Sequence, residues 1–226
     1  MLAIIPARSG SKGVIGKSIK TLHDKPLIAH TIIVAIESKG IDRIIVSTDS
    51  EEIAAVSLRY GAEVPFLRPA NISQDNTPIL DNYKFALNQL KGAGESYDSF
   101  VALQPTSPFR TAHDIDLAIG LFCENETDSV ISFVKESHPI EWNRIINNDG
   151  TFSDLGVNAI YNRQLYENTY RFNGAVYVFK AELIKKNKMY SDNSIAYIMP
   201  ESRSLDIDTE DDFLYAEFLM EKINKF

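Results

Sequence analysis

The sequence predicts an α/β fold, a Rossmann-like three-layer αβα sandwich built on one mostly parallel sheet. Three observations carry that expectation. Apolar runs alternate with stretches of helical periodicity, as strands joined by crossover helices do. Polar residues follow the ends of those runs (Arg8, Asp49 and Gln104), where parallel sheets place their ligands. At 226 residues the chain is long enough for a sizeable core in one domain, 1–226.

The elements follow in order. Leu2–Ala7 opens as a buried strand and runs into a loop rich in glycine and cations. Helical spacing covers Ile28–Ser38. Strands are predicted at Arg43–Thr48 and Glu63–Leu67, with a helix at Glu51–Tyr60 between them. A helix at Leu80–Leu90 precedes the strand Phe100–Leu103. A helix at Ile115–Glu124 precedes the strand Val130–Val134. Ala175–Phe179 and Ile195–Met199 are the last strands. The final helix, Glu210–Ile223, has Thr209 as its cap and acids in its first turn, where they complement the dipole.

One segment breaks the rhythm. From Lys135 to Tyr170 there is no helical pattern, but there are Trp142, an Asn-Asn-Asp-Gly turn (Asn147–Gly150), Phe152, Tyr161 and Tyr166. An irregular excursion of this length inside a compact domain is usually functional. It is read here as an inserted dimerisation element, 135–170, since two-fold pairing is the commonest soluble assembly. A surface ornament is the plainer alternative.

Composition narrows the function. The formal charge of −8 argues against a nucleic-acid partner, whose backbone asks for a basic surface. Cys123 is the single cysteine, so no internal disulfide is available. Pro6 and Arg8 interrupt the apolar start, which therefore does not resemble a signal peptide, and no run reaches membrane-spanning length. The expectation is a cytoplasmic protein without a membrane partner. The four histidines show no ligand spacing.

The chemistry concentrates in the first loop, Ile5-Pro6-Ala7-Arg8-Ser9-Gly10-Ser11-Lys12-Gly13, closed by Gly16-Lys17-Ser18. Glycines let the backbone approach a ligand. Backbone N–H groups, hydroxyls and the cations Arg8, Lys12 and Lys17 together make a cradle for an oligophosphate. An ordinary strand-to-helix turn with solvated cations is the alternative. Walker A is excluded, because five residues rather than four separate Gly10 from Gly16. The dinucleotide fingerprint is excluded too, because Gly10, Gly13 and Gly16 are evenly spaced. Near the carboxyl end, Asp206-Ile207-Asp208 places two carboxylates on one face of an extended segment, with Ile207 on the other. Paired carboxylates suit Mg²⁺, which completes its shell with water and phosphate oxygens.

These residues resemble the signature of the CMP-N-acetylneuraminic acid synthetases, the acylneuraminate cytidylyltransferases. Arg8–Ser18 is similar to the family's phosphate loop, with Ile15 where proline is usual and Ser18 where asparagine is usual. Leu103-Gln104-Pro105-Thr106-Ser107-Pro108-Phe109-Arg110 is similar to the family's Leu-Gln-Pro-Thr-Ser-Pro-Leu-Arg, and Asp206-Ile207-Asp208-Thr209-Glu210 to its metal motif. Leu67-Arg68-Pro69-Ala70 with Gln74-Asp75 resembles the base-recognition loop, and Arg171-Phe172-Asn173-Gly174-Ala175-Val176-Tyr177 the family's Arg-Pro-Asn-Gly-Ala-Ile-Tyr. Arg163-Gln164 matches a further pair, without its usual proline.

The resemblance implies a nucleotide-diphospho-sugar transferase type of fold. It also implies an enzyme joining CTP to an acidic nine-carbon sugar, with Mg²⁺ or Mn²⁺ as cofactor, acting as a homodimer. Carried over residue by residue, it implies Arg8, Ser9, Gly10, Ser11, Lys12, Lys17, Ser18 and Arg68 for the nucleotide and Gln104, Arg163, Arg171 and Asn173 for the sugar. Asp206 and Asp208 hold the metal, and Lys17 and Asp208 act in catalysis. Legionaminic, pseudaminic and 3-deoxy-octulosonic acids stay open as the sugar. A glycosyltransferase with an Asp-x-Asp metal site, or a nucleotide-binding regulatory module without turnover, are readings from further afield.

Overall fold

A computed structural model describes residues 1–10, 13–155 and 167–223. Strand β1 (Leu2–Pro6) lies inside a six-stranded sheet with β4 (Arg43–Ser47), β5 (Ser99–Ala102), β6 (Ser129–Lys135), β9 (Tyr170–Lys180) and β10 (Ser194–Met199), in the order β10-β6-β9-β5-β1-β4. Its side chains alternate between two cores, as period two requires. Ala3 and Ile5 join one core, and Leu2 and Ile4 the other.

Helices α1 (Leu27–Glu37), α2 (Glu51–Arg59) and α4 (Ala112–Glu124) cover the first face through Ile28, Ile32, Ile53, Val56, Ile115 and Phe122. Helices α3 (Ile79–Gly92) and α5 (Ala181–Lys185) cover the second through Tyr83, Leu87, Leu90, Leu183 and Ile184. The three-layer expectation therefore holds. Ser50 caps α2 by accepting from the Ile53 N–H, and Thr111 with Asp114 forms a capping box on α4.

The sheet departs from the sequence expectation in two places. Glu63–Leu67 is not a strand. It touches β4 only at the isolated bridges Ile45–Glu63 and Thr48–Leu67, because Pro65 between them has no N–H to give a ladder. The other departure is β9, which runs antiparallel to both neighbours, β5 and β6, in an otherwise parallel sheet. The cause lies in the connection. Lys135 at the end of β6 pairs with Tyr170 at the start of β9, so the chain leaves and re-enters the sheet at one end. Parallel return needs a crossover, usually a helix, and the sequence has none there.

Within the excursion the described residues form a short hairpin, β7 (Arg144–Ile146) with β8 (Phe152–Asp154). Tyr161 and Tyr166 lie outside the described residues. Two-residue strands β2 (Thr21–Leu22) and β3 (Lys25–Pro26) pair before α1. A third, small core of Val14, Leu22, Leu27, Phe109, Ile207, Phe213 and Ala216 ties the first loop, the Asp206–Asp208 segment and the last helix, α6 (Glu210–Ile223), into one body.

Candidate active site

Beyond the carboxyl ends of β1, β4 and β5 lies an open cleft of about 450 Å³. Arg8, Gly13, Lys17, Ser18, Arg68, Gln104 and Asp208 line it together, although they come from four separate stretches of sequence. The phosphate loop forms its first wall. Gly16 takes the left-handed conformation (φ 63°), which starts the single 3₁₀ turn carrying Lys17 and Ser18. Gly13 is needed for a different reason: a Cβ there would lie 2.0 Å from the Asp208 carbonyl oxygen. Any side chain at position 13 would push the loop off the acidic segment. Val14 and Ile207, both fully buried, clamp the two together.

Charge in the cleft is balanced locally. Lys17 donates from Nζ to the Ile207 carbonyl at 2.7 Å and to Asp208 Oδ1 at 3.1 Å, leaving one N–H for a ligand. Asp208 is largely exposed. Arg8 Nη1 meets Asp75 Oδ1 at 2.6 Å. Ser9 donates its N–H (3.0 Å) and its hydroxyl (2.8 Å) to Asp49, so one carboxylate occupies two donors of the loop. Ser9 and Gly10 lie on the exposed rim, and Ser18 is buried in the wall. Ser11 and Lys12 lie outside the described residues.

Arg68 is buried rather than superficial, with 4% of its surface exposed. It donates to the Ser47 carbonyl (3.1 Å), the Ala7 carbonyl (3.2 Å) and Ser73 Oγ (2.9 Å), which ties the ends of β1 and β4 to its own loop. Burial lowers its guanidinium from the ordinary value. Two of its five N–H groups are left over for the cleft.

The acidic pair is asymmetric. Asp206 is held in the interior, where burial raises its carboxyl above the usual carboxylate range, reinforced by the charge of Asp208. Its Oδ1 is buried with no hydrogen-bond partner. Its Oδ2 would lie 3.5 Å from a Cβ on Gly174, and Gln104 Oε1 would lie 3.4 Å from the same point. Gly174 (φ 72°) thus forms a bend where Gln104 and Asp206 converge.

That bend is a large bulge. Ile131 pairs with Tyr177 but Phe133 pairs with Phe172, so β9 carries extra residues opposite Ser132. Asn173 serves the bulge. Its Oδ1 accepts from Ser132 Oγ (2.6 Å) and the Ala175 N–H (3.2 Å), and its Nδ2 donates to Ser204 Oγ (3.0 Å) and Met199 Sδ (3.3 Å). Its amide is therefore spent inside the protein, because a bulge leaves backbone groups that a side chain must satisfy. Arg171 is half exposed and pairs with Glu136 at 3.1 Å, away from the residues lining the cleft. Arg163 lies outside the described residues.

Two supporting residues gave little signal in sequence. Arg110 is 1% exposed, and it donates to the Gln104 carbonyl (3.2 Å), the Ala175 carbonyl (2.5 Å) and Thr31 Oγ1 (2.7 Å). It joins the Gln104 loop to the β9 bend, and burial draws its guanidinium down to about 9. Arg203 Nε and Nη2 each donate at 2.9 Å to Asp114, which is fully buried, and so fix the turn just before Asp206. A buried position for the arginine that closes a Pro-Thr-Ser-Pro-Phe-Arg loop is the one cue that sequence could have offered for Arg110.

The carboxylate pair also bears on metal binding. Among the described residues no group of three or more His, Cys, Asp or Glu is placed to hold an ion. Two carboxylates, one with an unpartnered buried oxygen and the other facing the cleft, fit an ion that takes its remaining ligands from water and phosphate.

A family model described as Cytidylyltransferase matches residues 2–205. A CMP-N,N'-diacetyllegionaminic acid synthase of Legionella pneumophila is 37% identical over 229 residues, covering 98% of this chain and 96% of that protein. An N-acylneuraminate cytidylyltransferase of Escherichia coli is 36% identical over 229 residues, covering 100% of this chain but 53% of that longer protein. Among solved structures, a CMP:2-keto-3-deoxy-manno-octonic acid synthetase complexed with CTP superposes with a TM-score of 0.75 over 98% of both chains. At 15% identity, that likeness supports the fold alone.

Proposed function

The chain belongs to the cytidylyltransferase family, and from that premise we propose that it activates a nonulosonic acid of the sialic type, CTP and N-acetylneuraminate giving CMP-N-acetylneuraminate and pyrophosphate. The observation that carries the reading is the meeting of Lys17 with Asp208: the glycine- and cation-rich loop and the Asp206–Asp208 segment meet at one cleft. The anomeric hydroxyl attacks the α-phosphorus in line, and pyrophosphate leaves from the opposite side. Catalysis is then mainly positioning and electrostatic stabilisation of charge on the phosphoryl oxygens.

Arg8 and Lys17, with the backbone of the loop, hold the triphosphate, and Ser9 joins them by exchanging its bonds to Asp49 for phosphate oxygens. Lys17 sits where Ile207 and Asp208 fix its ammonium, so its remaining N–H is already aimed when the phosphates arrive. Arg68 borders the nucleoside. Gln104, at the Gly174 bend, takes the acidic sugar, and Arg163 and Arg171 are assigned to it by resemblance. Asp206 and Asp208 would hold Mg²⁺ or Mn²⁺. Bound there, the ion would neutralise phosphate oxygens and lower the pKa of the attacking hydroxyl.

Pyrophosphate release from CTP across a panel of nonulosonic acids tests the reading. CTP-dependent release with N-acetylneuraminate is expected, and silence with every acid of the panel would refute it. N,N'-Diacetyllegionaminate is the second reading, favoured by the legionaminic acid synthase that matches along nearly its whole length. The same panel separates them by kcat/KM.

We also assign a homodimer to the functional state. Trp142 and Ile146 are exposed in the excursion, and Phe152 beside them is 68% exposed. Apolar groups gathered in this way mark a contact surface. Light scattering should give about twice the chain mass of 25.4 kDa. A monomer at full activity would exclude it. Among the described residues no helix is long and apolar enough to cross a membrane. A cytoplasmic location, where the reaction would meet its soluble nucleotide, belongs to the same proposal.

A further inference from the structure

Asn82 is a polar side chain of the cleft wall to which the proposed reaction gives no duty. It stands on α3 one turn after Ile79, and both line the cleft. Its neighbour Tyr83 turns the other way, into the core against Phe100 and Phe179. That packing fixes the helix and so fixes where Asn82 points. Asn82 is 6% exposed, and its Oδ1 is buried without a hydrogen-bond partner. Buried acceptors are rarely left unpaired, and one that borders a binding cleft is explained by a donor that arrives with the ligand.

The chemistry of that donor is restricted. Phosphate oxygens carry no proton to give at neutral pH, so the triphosphate does not satisfy an acceptor. The nucleoside does, through its exocyclic amine or its ribose hydroxyls. The neighbours agree: Ile79 offers an apolar surface suited to the face of a base, and Arg68 lines the same cleft.

We propose that Asn82 is a specificity-determining residue whose Oδ1 accepts a hydrogen bond from the nucleoside half of the bound nucleotide. The inference rests on the reading of the cleft as a CTP site. Losing such a bond at a buried position typically weakens binding by roughly ten- to a hundred-fold. Replacement by leucine, of similar size, also removes the unpaired acceptor, so folding should be preserved or improved while affinity falls.

Calorimetric titration of the full-length protein with CTP, dCTP and UTP tests this without knowledge of the acidic sugar. Asn82→Leu should bind CTP at least about ten-fold more weakly than wild type, with Tm unchanged or raised. If the donor is a ribose hydroxyl, wild type should prefer CTP to dCTP and the variant should lose that preference. If it is the base amine, the preference lost is that for CTP over UTP. Equal affinity of variant and wild type for CTP overturns the proposal, since water then satisfies Oδ1. Asn82→Asp, which keeps an acceptor oxygen at that place, should bind CTP more tightly than Asn82→Leu. A fall in Tm of Asn82→Leu that accounts for its weaker binding, with Asn82→Asp weakened as much as Asn82→Leu, assigns a structural role and also overturns it. Failure of the wild type to bind any cytidine nucleotide would instead sink the reading on which the inference rests.

Discussion

Replacing Asp208 by alanine should reduce turnover by at least about 10²–10³-fold while leaving the fold intact, the range seen when one preorganised electrostatic group is removed from an active site. The carboxylate is largely exposed and contributes no packing, so its loss spares the core. What it does remove is the partner that holds Lys17 at 3.1 Å and one of the two carboxylates proposed to hold the metal. Lys17 keeps its bond to the Ile207 carbonyl, so the loop stays docked through Gly13 and Val14. Single-turnover kinetics at saturating CTP and metal, together with a circular-dichroism melt, check the two halves of the expectation. Activity within a few-fold of wild type, or full activity in excess chelator, would show that the acidic pair has no part in the chemistry.

The largest effect on stability is expected at Asp114, a residue remote from the nucleotide. Its buried carboxylate accepts five hydrogen bonds: from the Thr111 N–H and hydroxyl, from Tyr197 and twice from Arg203. Asp114→Asn should cost about 3 kcal/mol, the lower end for breaking a buried pair, because Arg203 can still reach water. For a chain of this size that is roughly 6–12 °C in Tm.

The pH dependence identifies the cause. Burial works to raise this carboxyl, but Arg203, Thr111 and Tyr197 outweigh it, and the net shift is downward from 3.8. A carboxyl lowered in the folded state stabilises above its unfolded pKa and loses that contribution as the pH falls through the folded value. The gap between wild type and variant should therefore be full at neutral pH and close below about pH 4, near the unfolded carboxyl value. A gap that does not change with pH would point to packing instead of charge.

Most of the fold was legible because its signals are local. The apolar runs of β1, β4, β5, β6 and β10 and the helical periodicities of α1 to α4 depend on residues close in sequence, and they appear where the patterns place them. The direction of β9 is not local. Its apolar run is compatible with either sense, and what decided it is that the chain re-enters the sheet where it left, Lys135 pairing with Tyr170. Pro65 likewise explains why a run of strand-like residues remains an edge contact.

In the site, Arg8, Lys17, Gln104 and Asp208 were legible as charged or polar groups in glycine- or proline-bound loops. Asn173 was legible as part of a motif but not as the residue that satisfies a bulge, because that depends on Ser132 and Ser204, far away in sequence. Arg110 and Arg203 were hidden for the same reason. Their partners are backbone carbonyls and a carboxylate brought near only by the finished fold.

The strand order also has a consequence in time. β6 forms no ladder with β5, β1 or β4, and the two halves of the sheet are joined solely through β9. During synthesis the first half can assemble once β5 has emerged, but its outer edge, Ser99–Ala102, stays bare until residues 170–180 follow. At about 5–20 residues per second that interval lasts several seconds, with an apolar strand edge open to any other chain. Truncation before β9 would leave β5 with one open edge and β6 with no partner strand, so a prematurely ended chain should aggregate rather than persist as a smaller folded body. The cleft keeps the same schedule, since Gly174, at the bend where Gln104 and Asp206 converge, lies on the strand that joins the two halves of the sheet.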